Sequence, residues 1–244
     1  MTRPLKTAIP IPQRMAHLKR DPRGYPIPAM VLIDDGGRPH FQINDERIRQ
    51  RLIAQDRCVI CGGRLFRGRW FIGGALSAFS ERGLYIDPPT HAECAEFALK
   101  VCPYLAAPHY GRELAARTMK GRTAEGVAVV VDDTTLSGRP LGECFVAVMA
   151  VRQDLIRAQG QFWRVGFEAH DVRYVRHAVG GAREVQVWRH GARITDPGEL
   201  ARFYAGVSDQ LAAEYDGERG RADMWALVGL PKNAFGRVQK REKI

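Results

Sequence analysis

The sequence predicts an α+β fold, and three features carry that prediction. Two short cysteine-bearing segments, 58–61 and 91–94, flank a stretch with hairpin character. From about residue 127 the texture turns to apolar runs and alternating segments of strand length. At Asp196 a strongly capped helix begins, so helices flank the strands. The sheet is expected to be mixed and largely antiparallel. The expected organisation is a proline-rich arm over 1–28, a cysteine-bearing module over 29–108, a mixed α+β domain over 109–230 and a basic tail over 231–244.

The arm holds Pro4, Pro10, Pro12, Pro22, Pro26 and Pro28, a density that resists helix and favours extended chain. Residues 30–33 read as a strand, Asp34-Asp35-Gly36-Gly37 as a turn and 40–43 as the partner strand. Asn44 or Asp45 caps a helix through about Gln55, with Ile48, Leu52 and Ile53 on one face. A strand pair is expected at 64–66 and 69–72, turned at Gly68, and a helix over 91–101 that Pro103 ends. A further helix is expected at 110–120, and buried strands at 127–131 and 145–151. Exposed antiparallel strands are expected at 162–167, 172–178 and 184–189, with Gly180-Gly181 as a turn. Asp196-Pro197-Gly198-Glu199 combines a cap, a first-turn proline and a capping-box glutamate, and the helix it starts should end near Gly217. Residues 224–230 read as a last strand.

The cysteines carry the sharpest chemistry. There are 5, an odd number, at Cys58, Cys61, Cys94, Cys102 and Cys144, and no secretory signal precedes them. That usage favours metal binding over disulfides, and with no apolar run of about 18 residues it predicts a cytoplasmic protein without a membrane span. Cys58 and Cys61 sit in a turn backed by Gly62 and Gly63, whose left-handed freedom a metal knuckle needs. His91 and Cys94 are three apart at a helix start, which places them on one face. Knuckle, hairpin and helix entrance in that order predict a treble clef around one structural Zn²⁺ held by Cys58, Cys61, His91 and Cys94. Cys102 lies about 12 Å beyond Cys94 along a continuous helix and cannot share the ion. It and Cys144 read as core residues. Four protein ligands leave no open position, which argues against hydrolysis at this ion.

A ββα-metal nuclease site would need a histidine on the hairpin, and 62–90 contains none. No Walker A, GxGxxG or GxSxG motif occurs. Asp132-Asp133 follows a strand of buried character and reads either as a Mg²⁺ site or as an ordinary strand end. His170-Asp171, His177 and His190 read as surface residues.

The balance of 37 basic against 27 acidic residues gives a net charge of +10. Such a surface attracts polyanions, DNA or RNA first among them, although arginine-rich coding in high-GC genomes produces the same balance. Arg164, Arg173, Arg176, Arg183, Arg189 and Arg193 interleave with Phe162, Trp163, Tyr174 and Trp188. A sheet with that alternation either binds phosphates and stacks bases or simply turns aromatics inward and arginines to water. Lys232, Arg237, Lys240, Arg241 and Lys243 in the tail would add to the attraction.

Two stretches carry a resemblance. One is His17-Leu18-Lys19-Arg20-Asp21-Pro22-Arg23-Gly24-Tyr25-Pro26-Ile27-Pro28. The other is Cys58-Val59-Ile60-Cys61-Gly62 with Pro88-Pro89-Thr90-His91-Ala92-Glu93-Cys94-Ala95-Glu96 and Cys102-Pro103-Tyr104-Leu105. Over about 15–108 the chain resembles a family of zinc-binding proteins encoded by bacteriophages, prophages and some bacteria. The resemblance implies a phage or mobile-element setting, hence a bacterial host cytosol, and an arm packed on the zinc module. It implies no activity. The expected function is a non-enzymatic, zinc-stabilised nucleic-acid-binding accessory protein. The alternatives are a protein-interaction factor that binds a host protein, and a metal-dependent enzyme using Asp132 and Asp133.

Overall fold

In the computed structural model, which describes residues 9–81, 83–85, 87–106, 128–129, 144–163, 169–214 and 220–230, local chemistry sets the first hairpin. β1 (Val31–Ile33) and β2 (Pro39–Asp45) run antiparallel, with Leu32 opposite His40. Asp34 holds the turn: its carboxylate accepts from the Arg38 backbone N–H at 2.8 Å and lies 2.9 Å from His40 Nε2. Asp45 ends β2 and caps α1 (Glu46–Ala54), accepting from the N–H groups of Arg47 at 3.0 Å and Ile48 at 3.2 Å. β5 (Ala128–Val129) extends this sheet beside β2.

The arm is organised by Asp21, whose buried carboxylate accepts from the backbone N–H groups of Arg23 and Tyr25 at 2.9 Å. Gly24 takes φ +88° in that turn. Met15 and Tyr25 then bury against Leu52, Val59, Ile60, Leu65 and Phe97. The Tyr25 and Phe97 rings meet edge-on at 6.0 Å. Backbone bonds from Ala29 to Ile60 at 2.8 Å and from Met30 to Val59 at 3.2 Å fasten the arm to the knuckle.

The larger sheet joins β3 (Arg69–Gly73), β4 (Leu84–Tyr85), β6 (Cys144–Trp163), β7 (Ala169–Arg189) and β8 (Ala192–Arg193). Its order is β3-β6-β7-β4, with β8 on β7, and every pairing is antiparallel. Strands from both sides of residue 108 therefore share one sheet: Phe71 of β3 lies opposite Val148 of β6.

Alternation along the strands divides two cores. On one face Phe71, Tyr85, Val146, Val148, Val179 and Val187 pack against α2 (Ala75–Phe79), α5 (Pro197–Glu214) and α6 (Ala222–Leu227). On the other, Trp70, Phe145, Ala147 and Trp188 meet Ala95 and Leu99 of α3 (Ala92–Val101). A short helix, α4 (Pro103–Ala106), follows α3.

Four expectations are corrected. Gly180-Gly181 is not a turn: it lies inside β7, next to a one-residue register shift opposite Met149 and Ala150. Gly181 takes φ +63°, and a Cβ there would stand 2.9 Å from Val151 Cγ2. A glycine pair between alternating segments reads the same whether the chain reverses or bulges. The segments 172–178 and 184–189 are consequently one strand, and 162–163 end β6. Residues 64–66 form no strand beside β3; Arg64 bridges Arg57, and β3 pairs with β6 instead. Residues 224–230 begin in helix α6, because Met224 and Trp225 both bury against α2 and α5, which helical spacing allows and strand alternation does not. The expected helix over 110–120 lies outside the described residues.

His177 is the fourth, buried rather than superficial. Asp56 pairs with Arg69 Nη2 at 2.7 Å, Arg69 Nη1 donates to Gln153 Oε1 at 3.0 Å, and Gln153 Nε2 stands 2.7 Å from His177 Nδ1. With Gln153's oxygen turned to Arg69, its amide N–H donates to Nδ1, so the imidazole proton sits on Nε2. Burial, reinforced by Arg49 and Arg69, pushes the His177 pKa down to about 3. The unfolded chain accepts a proton below about pH 6.5 that the fold refuses. Stability is then full above that pH and falls towards pH 3, by up to about 1.4 kcal/mol per unit. Urea unfolding at pH 7 and pH 5 should show a steeper loss for the parent than for His177→Gln; equal slopes would refute the assignment.

Candidate metal centre

The knuckle begins where α1 stops. Asp56 takes the left-handed φ of 54° and turns the chain into Arg57. Cys58 N–H bonds Gly63 O and Gly62 N–H bonds Cys58 O, each at 2.8 Å, closing a tight loop. Gly62 has φ +71°, which the loop requires. Gly63 N–H points at Cys61 Sγ from 3.4 Å, and a Cβ on Gly63 would lie 3.3 Å from that sulfur. The glycines thus allow the curvature and keep the space over the sulfur clear.

The second pair is delivered by the sheet. Trp70 of β3 and Thr90 exchange backbone hydrogen bonds of 2.9 and 2.8 Å, which pins the chain one residue before the helix's N-cap. His91 is the N-cap of α3 and Cys94 lies in its first turn. Ala95 and Leu99 hold the helix on the sheet while Cys94 and Phe97 face the arm and knuckle.

Cys58, Cys61, His91 and Cys94 are all buried, and their donor atoms all lie within 4.8 Å of one another. His91 Nδ1 is 3.4 Å from Cys61 Sγ and 4.0 Å from Cys94 Sγ. Tetrahedral coordination with sulfur at about 2.3 Å and nitrogen at about 2.0 Å places donors about 3.5–3.8 Å apart, so the set matches a small ion. His91 Nε2 lies 2.9 Å from Arg64 O. A carbonyl only accepts, so the imidazole proton is on Nε2 and the Nδ1 lone pair faces the sulfurs. Thr90 Oγ1, 3.0 Å from Cys58 Sγ, is placed to donate to a thiolate. The sequence reading missed Thr90; its only signal is its position immediately before His91.

The electrostatics agree with that donor chemistry. Hydrogen bonds from Cys61, then Cys94, lower the Cys58 pKa, while the Cys58 sulfur raises those of Cys61 and Cys94. Cys58 also raises the His91 pKa. Three sulfurs in one buried space resist ionising together, and a dication is what would let all three become thiolates. Among the described residues this is the one cluster of three or more Cys, His, Asp or Glu suited to a metal. Cys102 is the C-cap of α3, outside the cluster, and Cys144 is buried with Arg189 Nε 3.4 Å from its sulfur.

Of the expected nucleic-acid contacts, Arg173, Arg176 and Arg189 fall among the described residues. Arg164, Lys240 and Arg241 lie outside the described residues, as do Asp132 and Asp133. Arg173 and Arg176 sit on β7 opposite Gln159 and Ile156. Arg189, at the end of β7, is paired with Glu199. No helix among the described residues is long and apolar enough to cross a membrane. No protein family, curated protein or solved structure matches the chain.

Proposed function

We propose that the chain is a non-enzymatic, zinc-stabilised nucleic-acid-binding accessory protein of phage or mobile-element origin, acting in a bacterial host cytosol. The observation that carries the reading is the closed donor set of Cys58, Cys61, His91 and Cys94 on a knuckle and a helix entrance. Three thiolates and one imidazole suit Zn²⁺, and a knuckle followed by a helix entrance supplies them in the manner of a treble clef, with β3 paired to β6 in place of the hairpin between the two ligand pairs. With four protein donors no position is left for water or substrate, so the ion's role is structural. The net charge of +10 supplies the attraction for DNA or RNA.

A second reading, a protein-interaction factor that binds a host protein, draws on the ion pairing of Arg189 with Glu199 and of Arg193 with Glu184, which occupies two arginines on the sheet. Gel shifts with DNA and RNA across about 50–200 mM salt decide between them. The nucleic-acid reading expects log affinity to fall linearly with log salt, and expects Arg173→Glu with Arg176→Glu to weaken binding and flatten the slope. Absence of any salt-dependent shift would favour the interaction factor.

A further inference from the structure

Beside the metal loop, a cleft of about 510 Å³ opens between residues 65–69 and residues 151–154 in the middle of β6. Its floor is polar and already satisfied, because Asp56 and Arg69 pair at 2.7 Å and Arg69 also holds Gln153. Its rim is different. Phe66 is 64% exposed and Val151 is 51% exposed, an apolar pair in water on facing walls. Arg67 and Arg152 are exposed beside them, against Asp154 as the remaining acid.

Phe66 is held in place rather than dangling. Leu65 before it is buried and its N–H bonds Asp56 O at 2.9 Å. Arg64 O accepts from His91, and the Phe66 ring stands 6.4 Å from the His91 ring. The metal loop therefore presents a fixed aromatic face to solvent. Such a face accepts a base without regard to its identity, and flanking guanidinium groups meet the phosphates on either side. A base inside a duplex shows no free face, so the ligand this cleft fits is an unpaired nucleotide. With Asp56 neutralised by Arg69, two cations face one anion, which favours the polyanion.

We infer that this cleft binds one unpaired nucleotide of a single-stranded nucleic acid, with the base stacked on Phe66 and the adjoining phosphates on Arg67 and Arg152. The inference rests on the nucleic-acid reading above and names the form of its ligand. Fluorescence anisotropy with labelled oligo-dT, oligo-U and a duplex of equal length tests it on the full, metal-loaded chain. Single strands should bind more tightly than the duplex. Phe66→Ala should weaken single-strand binding about tenfold to hundredfold, with metal content and salt slope unchanged. Phe66→Trp should retain affinity and be quenched by the bound strand. Arg67→Glu and Arg152→Glu should each reduce the salt slope by about one. If the parent binds strands and Phe66→Ala binds equally well, the cleft is refuted while the nucleic-acid reading stands. If the parent binds no nucleic acid, or binds polyglutamate in a Phe66-dependent way instead, both are refuted.

Discussion

Cys94→Ser is expected to abolish metal binding and to unfold the arm, α1 and the knuckle as a unit, whereas Cys102→Ser keeps one ion per chain. The contrast follows from placement. Cys94 is buried among the donors, and Cys102 lies at the far end of the same helix outside the cluster. Metal binding at a structural site of this kind contributes about 10–16 kcal/mol, as large as the roughly 5–15 kcal/mol that holds a whole domain folded. The three cysteine ligands are also members of the hydrophobic cluster that buries Met15, Tyr25, Leu52 and Phe97, so losing the ion loosens that cluster too. The main sheet core contains none of the four ligands, and its helices should persist. Elemental analysis combined with hydrogen exchange resolves the two regions. A Cys94→Ser protein that retained stoichiometric metal, or a Cys102→Ser protein that lost it, would sink the assignment. Because thiolate and imidazole donors must shed protons to bind, the ion should leave as pH falls.

Phe79→Ala should cost about 3–5 kcal/mol and leave metal content untouched. Phe79 is fully buried on α2, with its ring 4.6 Å from Trp225 and 5.6 Å from Tyr204. It joins three helices under one face of the sheet, and neither neighbouring ring can collapse freely into the space it leaves. Nearby Gly220, at φ +75°, would set a Cβ only 2.5 Å from Phe79 O, a measure of how closely the chain is packed there. Urea unfolding followed by tryptophan fluorescence measures the loss. A change below about 1 kcal/mol would mean that these helices do not share a packed core.

What could be read in advance was local. The Asp34 turn, the Asp45 cap, the Cys58–Gly63 knuckle, the His91 helix entrance and the Asp196 cap each depend on a few neighbouring residues, whose side chains act on their own backbone. The Glu199 side chain is an exception: the capping box expects it to turn back to Asp196, and it pairs with Arg189 instead. Pairings across long separations were not legible. Nothing near Arg69 says that its strand will lie beside Ala150, and nothing near Gly180 distinguishes a bulge from a turn. His177 looked superficial because the polar thread that buries it runs through Gln153, Arg69 and Asp56, three positions scattered over the chain. Phe66 carried no signal either, since exposure is decided by what fails to cover a residue.

The seam between Trp70 and Thr90 bears on how the chain matures. Both halves of the ligand set are synthesised by residue 94, yet the strand that steadies the second half rests on β6, which begins at Cys144. During translation the ion can therefore meet its ligands well before their scaffold exists. A fragment cut after 108 would keep every donor but leave the backbone of Arg69–Gly73 without its β6 neighbour, an open template for association between copies. The stretch that resembles a self-sufficient finger is, by this architecture, completed only by the second half of the polypeptide.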